Sequence, residues 1–231
     1  MSLFARLVNE TKAEKQYLLS APIIQRCFNG DIDINDYVAF LQQAFHHVKH
    51  TVPLLMATGS KLPFTKEWLR EAVAEYIEEE TGHQEWVLND IAACGFNKEE
   101  ARHSQPSIAT ELMVAYAYDA ISRVNPLCFF GMVFVLEGTS IEMADAAANS
   151  INSKLEVPTN AFSYLRSHGA LDQEHIVFFE NLMNQINDPV EQGLIIHSAK
   201  VFFRLYGNIF HELQAEHGLK PVSYTHLRAH E

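Results

Sequence analysis

The sequence predicts an all-α fold, a seven-helix up-and-down bundle, and three observations predict it. Apolar residues recur at spacings of three and four along most of the 231 residues, and hardly any stretch alternates as strands do. Only ten glycines and eight prolines interrupt this pattern, so the helices are expected to be long. No repeat, low-complexity tract or linker is visible. We therefore expect one helical domain over residues 1–221.

Capping and breaking residues set the predicted helix boundaries. Asn29-Gly30 marks a turn after the first helix, Cys94-Gly95 ends the third, and Asn125-Pro126 and Asp188-Pro189 open the fifth and the last. The predicted helices are residues 3–28, 34–59, 65–94, 108–124, 126–153, 160–185 and 189–217.

Composition argues against several classes of partner and site. With 29 acidic and 17 basic residues the net charge is −12, which argues against binding to nucleic acid or to an anionic membrane. We find no apolar run long enough to cross a membrane and no secretory signal in residues 1–7, so a cytoplasmic protein is expected. Residues 222–231 break the pattern and are interpreted as a non-native tail, so His226 and His230 are not counted as ligands.

The sixth predicted helix contains three metal-ligand side chains on one stripe. His168, Asp172 and His175 are four and three residues apart, so at about 100° per residue all three lie on one face. Apolar residues cover much of the rest of this helix, and a buried polar stripe needs partners. Taken alone, the stripe fits either a metal site or a set of capped or water-facing side chains.

Two other helices supply candidate carboxylates. Glu80 and His83 form a Glu-x-x-His pair of the kind found in carboxylate-bridged dimetal bundles, with Glu79 as the reserve carboxylate. Glu137 is the single charge set into the apolar stretch that begins at Leu127, so we expect it to be protonated, paired with a cation or bound to metal. Metal is the interpretation we prefer.

The combined inventory is three carboxylates and three imidazoles. Such a set suits two divalent first-row metals, and its oxygen and nitrogen atoms match iron or manganese better than magnesium or a closed zinc site. Glycines adjoin three of the residues, as Gly82, Gly138 and Gly169, which suggests close approach of neighbouring backbones.

The motifs Glu79-Glu80-Thr81-Gly82-His83, Val135-Leu136-Glu137-Gly138 and His-x-x-x-Asp-x-x-His give the sequence a resemblance to a known family. Between about residues 28 and 217 it resembles the haem-oxygenase-like diiron oxidases, whose fold is shared with thiaminase II and pyrroloquinoline quinone synthase C. The resemblance implies a non-haem dimetal oxidase or oxygenase that uses O₂ to oxidise a small molecule, with two Fe(II) ions, or manganese, and no haem. The implied metal ligands are Glu80, His83, Glu137, which would bridge, His168, Asp172 and His175.

Two alternatives to an oxidase remain open at this point. One is a metal- or cofactor-binding bundle without turnover. The other is a thiaminase II-like hydrolase that uses Cys128, although Cys27, Cys94 and Cys128 are all set among apolar residues and are expected to be core thiols.

Some further features are left as expectations. Of the histidines in the second helix, His46 and His50 share a face and are expected to be hydrogen-bonded or pocket-lining rather than a second metal site, and His47 points elsewhere. Aromatic residues that would suit an apolar or amphipathic substrate are Phe45, Tyr116, Phe130 and Phe134, although a core role is the preferred explanation for them. A homodimer is left open.

Overall fold

The computed structural model describes residues 1–155 and 157–213, and the side chains of all of these except residues 168–174. Every element of this described part is helical, which confirms the predicted all-α class. The predicted tail, with His226 and His230, lies outside the described residues. The α-helices of the described part are α1 (Leu3–Glu10), α2 (Lys12–Leu19), α3 (Pro22–Phe28), α4 (Ile34–Val48), α5 (Thr51–Lys61), α6 (Glu67–Glu80), α7 (His83–Ala93), α8 (Lys98–His103), α9 (Ile108–Asp119), α10 (Phe129–Lys154), α11 (Ser163–Met183) and α12 (Pro189–Glu212).

Several helices are shorter than the sequence predicts, because the chain breaks inside them. The first predicted helix is divided into three helices, α1, α2 and α3, and Pro22 is the first residue of α3. The second breaks between α4 and α5 at Lys49 and His50, where Pro53 favours a new first turn because proline lacks the N–H that a helix interior needs. α8 was not predicted. A π-helical turn, Ala120–Val124, ends the segment that α9 begins.

The break between α6 and α7 falls inside the Glu-x-x-His motif. Glu80 is the last residue of α6 and His83 is the first of α7. Gly82 between them has φ of 100°, in the left-handed region that glycine adopts without a steric cost. The two ligand candidates therefore lie on either side of a turn, and the assumption that they share one continuous helix was wrong.

α10 is the central helix of the bundle. It packs mainly against α11 and α12 and also contacts α3 and α5. Its approach to α12 requires Gly131, where a Cβ would lie 2.5 Å from the backbone nitrogen of Ala199. The expectation that no run is long enough to span a membrane was wrong by length and composition, since an 18-residue window within Pro126–Lys154 has a mean hydropathy of 1.5. Because 67% of that apolar window is buried, a core helix accounts for it.

Buried side chains form two clusters that share the elements around the candidate site. One surrounds α10 and α12 and includes Phe130, Phe179 and Phe202. The other lies between α4, α7 and the start of α11 and includes Tyr37 and Phe162, whose rings stack 5.4 Å apart. The two clusters hold α7, α10 and α11 in the arrangement that brings their polar side chains together.

Candidate metal centre and adjoining cavity

Glu80 and His83 contact each other across the turn between α6 and α7. Glu80 Oε2 lies 3.0 Å from His83 Nδ1, and both side chains are largely buried. The imidazole also stacks on the ring of Trp86, with centroids 3.9 Å apart. The turn thus does what a continuous helix was expected to do, because it brings one carboxylate and one imidazole of the motif together.

Glu137 and His175 come from the adjacent helices α10 and α11. His175 Nδ1 lies 4.0 Å from Glu137 Oε1, and the same imidazole places Nε2 2.9 Å from Glu79 Oε2. Tyr76 packs its ring edge against His175, with centroids 5.8 Å apart. Glu79, which the sequence offers only as a reserve, is therefore in direct contact with a candidate ligand. It is also half-exposed, whereas Glu80 is not.

The structure tests only part of the predicted ligand set. The side chains of His168 and Asp172 lie outside the described residues. Among the side chains that are described, no three from His, Cys, Asp and Glu come together closely enough to hold a metal ion. What the structure describes is three separate contacts, Glu80–His83, His175–Glu79 and His175–Glu137. The six-ligand set thus stays a prediction.

The glycine part of the prediction was wrong where it can be checked. A Cβ at Gly82 or Gly138 would meet nothing within 4 Å, so neither position is a site of close backbone approach. Gly82 is needed for its backbone conformation instead. Gly169 falls in the segment whose side-chain surroundings are not described.

The described donors fit a divalent metal chemically. Each ion pair described for Glu79, Glu80 and Glu137 has an imidazole as its partner, not a lysine or arginine. Buried carboxylates need positive charge or proton donors nearby. Carboxylate oxygen and imidazole nitrogen are the ligand types of iron, manganese and zinc, so a divalent ion would supply the charge that the surrounding side chains do not.

A cavity of about 170 Å³ adjoins these residues and runs between α4 and α10. Glu80, Glu137 and Tyr76 line it on the side of the candidate centre. The C-terminal part of α10 lies beside α3, as shown by the hydrogen bond that the Ser150 hydroxyl donates to the Cys27 carbonyl at 2.5 Å. The remaining lining of the cavity is mostly apolar, from α3, α4, α10 and α12 and the start of α5: Ile23, Ile24, Phe28, Phe40, Val48, Leu55, Phe129, Met132, Val133, Leu136, Met143, Ala144, Ala147, Ile151 and Phe210.

The four aromatic residues considered for a substrate pocket belong to the core, which was the preferred explanation for them. Phe45, Phe130 and Phe134 are members of the two buried clusters, and Tyr116 packs against one of them. None of the four is among the residues that line the cavity. No pattern in the sequence indicates the true lining, since α10 is apolar on nearly every side and only packing decides which face borders the cavity.

The histidines of α4 and of the turn after it divide into two roles. His46 Nδ1 accepts from Lys49 Nζ at 3.1 Å, so Nε2 carries the proton and donates to Ser104 Oγ at 2.9 Å. His50 Nδ1 lies 3.2 Å from the hydroxyl of Tyr118. These contacts confirm the hydrogen-bonded interpretation. His47 lines the cavity and meets the ring of Tyr206 edge-on.

The three cysteines are free thiols, as expected, but only Cys128 is a buried core thiol, and Cys27 and Cys94 are partly exposed. Burial raises the pKa of Cys27 to about 11, of Cys94 to about 12, and of Cys128 above its ordinary value. A thiol of raised pKa is a poor nucleophile at neutral pH. Cys128, the thiaminase-like candidate, is 2% exposed and is not among the cavity-lining residues.

Comparison with known proteins agrees with this architecture. A family model described as iron-containing redox enzyme matches residues 38–207. A domain of unknown function with a haem oxygenase-like fold from Shewanella denitrificans is 21% identical, covers 92% of each chain and superposes with a TM-score of 0.82. No curated protein matches the chain significantly.

Two further solved structures share the fold at lower identity. A TenA homologue from Pseudomonas syringae pv. tomato is 14% identical over 91% of each chain, with a TM-score of 0.73. Haem oxygenase from Leptospira interrogans is 18% identical over 92% of this chain and 100% of its own, with a TM-score of 0.71. At these identities the likeness establishes the haem oxygenase-like fold and no particular activity.

Proposed function

The chain belongs to the family of iron-containing redox enzymes, and we propose that it is a non-haem diiron oxidase or oxygenase that oxidises a small organic molecule with O₂. The observation that supports the proposal is that two carboxylate–imidazole pairs lie beside one mostly apolar cavity. Glu80 with His83 and Glu137 with His175 come from four different helices, and both carboxylates border that cavity.

Under this proposal the residues that hold the metals are Glu80, His83, Glu137, His168, Asp172 and His175. Two ferrous ions held there would supply the electrons that reduce O₂. The family resemblance gives Glu137 the bridging role, and its helix α10 packs directly against α11, which carries three of the other proposed ligands. Manganese satisfies the same donor set, and the metal supply of the cell would decide between the two.

The protein's own contribution is to exclude water and to orient the substrate. Tyr76 and His47 are among the polar residues of a mostly apolar lining, and both are buried. An apolar or amphipathic molecule would fill such a cavity with its hydrocarbon part, and the few polar groups would fix its orientation. Closing water out of this space also strengthens the electrostatic contacts around the carboxylates.

The test compares two substitutions on the same helix. Glu137→Gln removes a negative charge and an oxygen ligand, so we expect it to lower metal content below two per chain and to abolish O₂ uptake by the iron-loaded protein. The matched control is Glu142→Gln, at a position further along α10 whose half-exposed carboxylate pairs with Lys15. This control should change neither quantity.

Metal content would be measured after anaerobic loading with ferrous iron, and O₂ uptake with an oxygen electrode. A Glu137→Gln protein that keeps two metals and normal uptake would rule out the bridging role. Wild-type protein that binds two irons and consumes no O₂ would instead be a metal-binding bundle without turnover.

The thiaminase-like alternative gains no support from the structure. Its nucleophile would be Cys128, which is buried, has a raised pKa and does not border the cavity. The absence of haem, the cytoplasmic location and the homodimer all stay predictions.

A further inference from the structure

Asp90 is a fully buried carboxylate in α7 that binds the start of a different helix. It accepts hydrogen bonds from the backbone N–H of Ser163 at 3.0 Å and of Tyr164 at 2.8 Å, and also from the hydroxyl of Ser163. These groups open α11. The residue at its N-cap position, Phe162, has no side-chain oxygen with which to cap the helix, so Asp90 supplies the cap from outside.

A capping residue within the chain just before α11 would have satisfied the same N–H groups at a lower cost in folding free energy. Burial raises the pKa of Asp90, with burial opposed by its hydrogen bonds to Ser163 and Tyr164. A serine or asparagine at position 162 would satisfy the same N–H groups without placing a carboxylate in the core. What Asp90 adds is a tie between α7 and α11, the helices that carry His83 and His175.

The position of Asp90 on α7 relates it to the candidate centre. Seven residues separate it from His83, which at about 100° per residue is within about 20° of two full turns. The two side chains therefore share one face of α7, about 10.5 Å apart along the axis. That face meets α11 at Asp90, as the hydrogen bonds to Ser163 show.

A second contact indicates the direction of α11 relative to α7. Glu79, in the last turn of α6 and four residues before α7 begins, contacts His175, which lies twelve residues after Ser163. Since Asp90 meets the start of α11 and Glu79 meets a later turn, α7 and α11 run antiparallel. At about 1.5 Å per residue, the backbone near residue 170 of α11 comes level with His83. Positions 168 and 172, both predicted ligands, stand on either side of that level.

We propose that Asp90 is a positioning residue of the metal centre, which fixes the axial register of α11 against α7. A slip of one residue would move α11 by about 1.5 Å and rotate its ligand face by about 100°. Metal–ligand distances tolerate deviations of only about 0.2 Å, so either the shift or the rotation would move the ligands of α11 out of place. The reference to metal rests on the proposed function, whereas the anchoring of α11 does not.

The test uses Asp90→Ala and Asp90→Asn, with Asn97→Ala as the matched control. Asn97 caps α8 through two backbone N–H groups, so its loss removes a helix cap away from the candidate centre. Two quantities are measured in each protein: the binding of Mn(II), counted by electron paramagnetic resonance, and amide hydrogen exchange along residues 163–175 without metal. Thermal melting shows whether the variants are destabilised to a similar extent.

We expect Asp90→Ala to weaken Mn(II) binding about tenfold or more and to lose exchange protection in the first turns of α11. Asp90→Asn keeps one acceptor oxygen and should fall between it and the wild type. Asn97→Ala should leave both quantities unchanged at a comparable loss of melting temperature. If Asp90→Ala does not fold, Asp90→Asn decides by the same two measurements.

Two results would overturn the proposal. One is an equal loss of Mn(II) affinity in Asp90→Ala and Asn97→Ala, which would make Asp90 a general stabiliser. The other is unchanged exchange protection in α11. Wild-type protein that binds no Mn(II) or Fe(II) would remove the proposed function, and the exchange measurement alone would then decide whether Asp90 sets the register of α11.

Discussion

The buried histidine of α4 gives a quantitative prediction about stability and pH. His46 is 1% exposed, and burial, with smaller contributions from the charges of Lys49 and His50, lowers its pKa from 6.5 to about 4. In the unfolded chain the same imidazole takes up a proton below about pH 6.5. Between these two values the unfolded state binds more protons than the folded state, so stability must fall as the pH falls.

The size of the loss follows from the same two values. One pKa unit corresponds to about 1.4 kcal/mol, so the full shift from 6.5 to about 4 is worth up to about 3 kcal/mol. About 2 kcal/mol of this should be lost by pH 5. No stability is lost above the pKa of the unfolded chain, about 6.5, and the loss is complete once the pH has fallen below the folded-state pKa of about 4.

The assay is urea unfolding of metal-free protein at pH 7.5 and pH 5.0, with His46→Gln as the variant. Glutamine cannot take up a proton, so the wild type should lose about 2 kcal/mol more than His46→Gln between the two pH values. Carboxylates titrate in both proteins and cancel in the difference. His103→Gln, at the exposed end of α8, controls for the loss of an imidazole as such. Parallel pH dependences of wild type and His46→Gln would refute the reasoning.

Two predictions concern α10. Gly131→Ala should destabilise the protein by about 1–3 kcal/mol in urea unfolding, because the added Cβ would lie 2.5 Å from a backbone nitrogen of α12. The control is Gly138→Ala, where the added Cβ meets open space, and this change should be neutral or stabilising. Ser140→Ala should leave the melting temperature unchanged or raise it, since the Ser140 hydroxyl is shielded from solvent and has no hydrogen-bond partner among the described residues. The control is Ser150→Ala, which loses a hydrogen bond to a backbone carbonyl and should lower the free energy of unfolding by about 1 kcal/mol. A larger loss for Ser140→Ala than for this control would show that the Ser140 hydroxyl has a structural partner.

The sequence predicts the helical class well, because the three-and-four spacing of apolar residues is a local property that burial in a bundle preserves. It predicts the breaks less well. Gly82 and Pro53 were both visible, but a single glycine or an early proline is compatible with a continuous helix, so tertiary packing decides. The consequence is concrete at the candidate site, where a turn, and not a helix face, brings Glu80 to His83.

The cavity could not be predicted for a different reason. Phe129 and Phe134 belong to the same apolar run of α10 and to the same buried cluster, yet only Phe129 borders the cavity. A helix that is apolar on nearly every side contains no periodic signal that separates a packed face from a cavity-lining face. That distinction arises only from the helices that surround α10.

Local rules that the sequence breaks are more informative than those it obeys. The last turn of α6 is Glu78-Glu79-Glu80, whereas the negative end of a helix dipole favours lysine or arginine. Glu137 interrupts the apolar run of α10, and Asp90 lies fully buried in α7. Each placement costs stability, and such costs are expected at functional sites. Two of the three are candidate ligand positions and the third anchors the helix that carries His175, so one metal centre would explain all of them together.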